Sequence, residues 1–257
     1  MTTRTIYFDE SGFTGYNLLD PVQPIFSIAS ANISEDQAEE ILRTSFPRYQ
    51  GDEFHFTNIW RSNHRARLRV FCSQLDQVAD RSFCYVTNKR FAVLAKMMDF
   101  LVEPVVTNSG YDFYDEGYCW KYTNLVYHGL TNFAPPEFLN DLLGSYQEFS
   151  LAPSAESLTA LQQRLPAMAE TADERVKAFI SEMALGDQMF ERFNDLETFR
   201  STNSLQTSTM IAVIGHWRQN YTEDFAVVHD ASSSFMRDRA TWETITGPNV
   251  NPVEITG

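Results

Sequence analysis

Two apolar runs lying far apart in the chain, "TIYFDESG" (residues 5–12) and "FAVVHDASS" (225–233), each stop abruptly at acids. Runs of this length bounded by turn-prone residues read as sheet strands, and the unbroken apolar character of the second fits a central strand packed on both faces. Two adjacent carboxylates such as Asp9 and Glu10 at a strand end are costly to desolvate unless something cationic sits beside them, and a divalent metal is one such thing. The pattern therefore calls for an α/β fold in which ligands gather outside strand ends, where Asp9 and Asp230 converge if the two strands are neighbours.

Between these runs the order of elements is mixed. "QPIFSIASANIS" (23–34) reads as a second strand, and Ser34 followed by "EDQAEEILRTSF" reads as a capped helix closed by Pro47. A second helix is expected over roughly 62–80, then a short strand over Phe83–Thr87. Residues 91–204 change texture to long helical patterns, among them one amphipathic helix over "AFISEMALGDQMFERFNDL". "SLQTSTMIAVIGHWRQNY" reads as one more buried helix before the last strand. The expected organisation is a core of residues 1–90 and 205–257, interrupted by a helical insertion at 91–204.

The chain has 257 residues, 43% hydrophobic and 14% aromatic, which suits one sizeable core and excludes a disordered chain. No stretch approaches the roughly 18 apolar residues of a membrane helix, and "MTTRTIYFDE" lacks a signal-peptide core, so no membrane partner and a cytoplasmic location are expected. Cys72, Cys84 and Cys119 lack zinc-site spacing and read as buried reduced thiols. The net charge of -14 argues against indiscriminate nucleic-acid binding. Its distribution is uneven: residues 61–90 hold seven Lys/Arg against Asp76 and Asp80, whereas 91–200 hold seven against seventeen acids.

A third place of interest is "GDEFHFTNIW" (51–60), where Glu53 and His55 alternate with Phe54 and Phe56, so an extended segment would turn the polar pair one way and the aromatics the other. Glu53 can complete a metal site with Asp9 and Asp230, and His55 can orient it or shuttle a proton. Carboxylates on rigid strands suit one or two Mg²⁺ or Mn²⁺ ions, hard cations that take oxygen ligands. Plainer readings stand beside each: Asp9 and Asp230 as helix or turn caps, His55 as a hydrogen-bonded structural imidazole. Arg61, Arg65 and Arg69 fall at four-residue steps, one helix face that would hold a phosphate backbone or simply face solvent. Phe54, Phe56 and Trp60 read as core aromatics or as surfaces on which bases stack.

With "IYFDESG", the E-x-H of "EFHF" and "VVHDASS" in view, the chain resembles the prokaryotic family known as domain of unknown function 3800, whose members look like ribonuclease-H-fold proteins. The resemblance covers about half the chain, in pieces. It implies a ribonuclease-H-like mixed sheet flanked by helices, with Asp9, Glu53 and Asp230 as acidic metal-site positions and Glu10 and Ser11 belonging to the opening motif. The family pattern continues to a further strand and a closing helix carrying another acid, whereas this sequence stops at "NPVEITG" without one; Glu243 and Glu254 are the nearest substitutes.

The expected function is divalent-metal-dependent hydrolysis of phosphodiester bonds in RNA or DNA, in defence against foreign nucleic acid or in its processing. The alternative is a catalytically inactive module of the same shape that binds a protein or nucleic-acid partner. The acidic insertion would serve as a lid, an oligomer surface or a docking face for a basic partner. A serine or cysteine hydrolase is disfavoured, since no G-x-S-x-G elbow occurs.

Overall fold

A computed structural model describes residues 4–13, 15–51, 53–196, 199 and 204–229. Four strands, β1 (Arg4–Ser11), β2 (Ile25–Ala31), β3 (Ser82–Asn88) and β4 (Phe225–His229), form a sheet in the order β3-β2-β1-β4. β1 and β4 run parallel, with Arg4 opposite Phe225 and Phe8 opposite His229. β2 and β3 run antiparallel: the Asn32 N–H donates to the Arg81 carbonyl (2.9 Å) and the Lys89 N–H to that of Pro24 (3.1 Å), so one strand's numbers rise as the other's fall. The protein is thus an α/β fold with a mixed sheet and flanking helices.

Side chains on β1 alternate, Ile6 and Phe8 buried, Tyr7 and Asp9 exposed. β4 alternates too, and Val228 and its register partner Tyr7 are 46% and 47% exposed. This corrects the expectation of a central strand packed on both faces: β4 ends the described strand order, and its second face is open.

The described residues fall into two compact units. The first lies within Met1–Glu10, Ser27–Tyr85 and Met210–Ser232. Here Met210, Val213 and Trp217, three and four residues apart on the last described helix, are buried as its sequence pattern requires. The Trp217 Nε1–H donates to Ser30 Oγ (2.9 Å), whose own hydroxyl donates to the Phe83 carbonyl (3.0 Å), while His216 stacks on Phe83 at 3.7 Å. The buried Trp217 N–H and Ser30 hydroxyl are thereby satisfied within the apolar layer.

Helix α1 (Glu35–Ser45) starts where the sequence indicates, its Gln37 N–H donating to Ser34 Oγ (3.2 Å). The expected single helix over 62–80 is instead a 3₁₀ turn (Asn63–Arg67), α3 (Leu68–Leu75) and a second 3₁₀ turn (Asp76–Arg81), and a short helix that the sequence did not announce, α2 (Phe56–Arg61), precedes them. Ser62 separates α2 from the 3₁₀ turn: it is extended (φ -100°, ψ 177°), and its hydroxyl donates to the Ile59 carbonyl and accepts from the His64 N–H. Arg67 then reaches the last carbonyls of α1, donating to Ser45 O (2.8 Å) and Thr44 O (2.9 Å). Cys72 and Cys84 are exposed and Cys119 half-buried, a correction to the expected buried thiols; Cys84 lies on the open-face parity of β3.

The second unit lies within Ser11–Phe26 and Val86–Thr209. It holds α4 (Lys89–Met97), a π-turn (Met98–Val102), α5 (Glu103–Asn108), α6 (Tyr118–Phe133), α7 (Pro136–Leu151), α8 (Ala155–Thr171), α9 (Glu174–Asp187) and α10 (Phe190–Phe193). The loop after β1 belongs with these helices: buried Gln147 on α7 accepts from the Leu18 and Leu19 N–H groups (2.8 and 3.0 Å). Three of the 20 phenylalanines form one cluster, where Phe149, Phe190 and Phe199 lie 5.0–5.2 Å apart. The helix expected across 178–196 stops at Asp187 and is followed by the short α10; near that end Gly186 packs so closely on the π-turn that an added Cβ would lie 1.5 Å from the Leu101 carbonyl oxygen. The final helix, α11 (Leu205–Asn220), continues from this unit into the first. Among the described residues no helix is long and apolar enough to cross a membrane.

Candidate active site

The parallel register makes β1 and β4 adjacent, as the acid-ended runs require. Parity then separates the two acids of β1. Asp9 shares the exposed face with Tyr7, and Glu10 shares the packed face with Ile6 and Phe8. His229, in register with Phe8, lies on that packed face, and its Nε2 is 2.6 Å from Glu10 Oε2. Their side chains are only 5% and 17% exposed, so each offsets the desolvation of the other. The group beside one strand-end carboxylate is thus an imidazole. Sequence reading singled out Glu10 but gave His229 no part; the signal was its place opposite the DE pair, legible only once the register is known.

Asp9 is exposed, and among the described residues no basic side chain lies within 4 Å of it. Its carboxylate is therefore open to an added ligand. Ser11 closes β1, exposed, ahead of Gly12, whose φ of +79° and contact with the Ile25 carbonyl exclude a side chain. Asp230, Glu243 and Glu254 lie outside the described residues.

Glu53 and His55 do face one another, Oε2 to Nε2 at 2.8 Å, both well exposed. The expected pairing of Phe54 with Phe56 fails because α2 begins at Phe56 and ends the extended alternation. Phe54 stacks on Tyr49 at 4.8 Å, while Phe56 points to solvent and stacks on Trp60 at 5.7 Å. Arg61, Arg65 and Arg69 are exposed as expected, but they lie on α2, the 3₁₀ turn and α3 in place of one continuous helix face.

Among the described residues no group of three His, Cys, Asp or Glu side chains is placed to hold a metal ion; the expected trio of Asp9, Glu53 and Asp230 is only two-thirds described. Asp9 itself has the right donor chemistry for Mg²⁺ or Mn²⁺, an open carboxylate at a strand end. Glu10 and Glu53 already serve histidines. Comparisons with protein-family models, with curated proteins and with solved structures give no match to this chain.

Proposed function

We propose that the protein is a ribonuclease-H-like nuclease that hydrolyses phosphodiester bonds of RNA or DNA with Mg²⁺ or Mn²⁺ as cofactor, in keeping with the family its sequence resembles. The observation that carries this reading is the parallel pairing of β1 with β4, which brings the carboxyl ends of two acid-ended strands side by side. Asp9 would hold the ion, with Asp230 and Glu53 as further ligands. When bound, the ion supplies a water of lowered pKa and positive charge for the leaving oxygen. Glu10 would act as a positioning residue: its Oε2, 2.6 Å from His229 Nε2, holds the imidazole at the strand end.

The test is cleavage of labelled RNA and DNA oligomers in Mn²⁺. Asp9→Asn and Asp230→Asn should each lower the rate by about a hundredfold or more with unchanged circular dichroism. Wild-type rates in both purified variants would remove the reading. The occupation of Glu10 and Glu53 by histidines favours a second one, an inactive binding module in which these acids are structural. Calorimetric titration separates them, since the module predicts no Mn²⁺ site tighter than millimolar and unchanged partner affinity in the aspartate variants.

A further inference from the structure

The break at Ser62 builds something that a continuous helix would not. Phe56 and Trp60, four residues apart on α2, share a face and remain 62% and 46% exposed, with their rings inclined by 26°. In an uninterrupted helix Arg65, five residues beyond Trp60, would point well away from that face. The extended Ser62 returns the chain so that the Arg65 guanidinium lies 3.9 Å over the Trp60 ring. Phe56, Trp60 and Arg65 thus form a solvent-facing stack. Beside it Arg65 and Arg69 line an open hollow with Ser62 and Asn63. Among the described residues no carboxylate lies within 4 Å of Arg61, Arg65 or Arg69, and the nearby Glu53 is paired with His55.

We propose that this stack is a platform for single-stranded nucleic acid, with bases stacking on Phe56 and Trp60 and backbone phosphates meeting Arg61, Arg65 and Arg69. The occupant follows from two chemistries presented together. Uncompensated guanidinium groups call for an anion, and flat exposed rings call for a ligand with free π faces. A single strand carries both at each nucleotide, whereas a duplex hides its base faces within its own stack. The overall charge of -14 does not forbid this, because at physiological salt charges beyond roughly 8 Å are largely screened, leaving the local basic surface to act. The platform rests on the nuclease reading only in naming the substrate form, and it stands or falls by binding alone.

The experiment is fluorescence anisotropy with a short labelled oligothymidylate in EDTA, where no metal-dependent cleavage occurs. Wild-type protein should prefer the single strand to a duplex of equal length, with affinity falling steeply as salt rises. Trp60→Ala should weaken binding between about fivefold and a hundredfold, Trp60→Phe should retain most of it, and Arg61→Ala with Arg69→Ala should flatten the salt dependence. Both aromatic side chains are exposed, so unchanged melting should accompany the loss. Equal affinity for duplex, wild-type binding by both Trp60→Ala and Phe56→Ala, or no binding even at low salt would overturn the proposal. So would a polyglutamate that competes as well as the oligonucleotide and depends equally on Trp60, since that outcome indicates an acidic protein partner. Trp60-dependent binding without any cleavage would sink the nuclease reading and leave the platform standing, and the reverse result would do the opposite.

Discussion

Asp187 is fully buried at the end of α9, and among the described residues neither carboxylate oxygen has a hydrogen-bond partner. Its backbone carbonyl accepts from Gln162 Nε2 at 3.1 Å. Burial pushes its carboxyl up from 3.8 to about 7. Because the folded chain holds the proton more tightly than the unfolded one, this group contributes full stability below about pH 4, loses it as pH rises towards 7, and levels off above. The total loss is the shift of about three units at 1.36 kcal/mol each, about 4 kcal/mol, of which roughly 2.5 kcal/mol falls between pH 5 and pH 8. Asp187→Asn removes the ionisation while keeping the shape. Whatever the amide costs by its own unmet hydrogen bonds is the same at every pH, so the informative quantity is the change in the mutational effect with pH. Urea unfolding followed by circular dichroism at pH 5, 6, 7 and 8 should show the variant gaining roughly 2.5 kcal/mol on the wild type across that range. Parallel pH profiles for the two proteins would refute a neutral carboxylic acid at this position.

Glu10→Gln should destabilise the fold by about 1–3 kcal/mol, since it changes the group that lies against the nearly buried imidazole of His229; a double-mutant cycle with His229→Gln giving negligible coupling would exclude that pairing. Gly186→Ala drives a Cβ into the Leu101 carbonyl and should cost about 3 kcal/mol or more, visible as a lowered midpoint in thermal melting. Asp99, on the π-turn, is held at about 6 by burial, with the Tyr114 hydroxyl donating to it at 3.2 Å; Tyr114→Phe removes a bond that favours the carboxylate, so carbon-13 titration of Asp99 should move further upward. Thiol-reactive dyes should modify Cys72 and Cys84 in the native protein faster than Cys119.

Local chemistry was legible in the sequence, and long-range register was not. Ser34 announced α1 because a capping serine followed by acids acts within one turn, and the apolar steps of α11 announced the burial of Met210, Val213 and Trp217. The four strands were also placed by their apolar runs. The stretch around Ser62 misled because a serine carries only a weak local preference: position 62 was read as the start of one long helix, whereas hydrogen bonds with Ile59 and His64 hold it extended between α2 and a 3₁₀ turn. The stack of Arg65 on Trp60 follows from that break, so it was equally hidden. The site divides in the same manner. Asp9 and Glu10 stood out as costly residues at a strand end, but which of them faces solvent and which meets His229 depends on a pairing made across most of the chain.

That pairing also sets an order of events during synthesis. Arg4 meets its strand neighbour Phe225 only after roughly 220 further residues have left the ribosome. The helices encoded between them can condense while β1 still lacks β4, so the ladder joining them is a late step of maturation. Any slowing of translation after α11 prolongs the interval in which that strand edge stands open to another nascent chain.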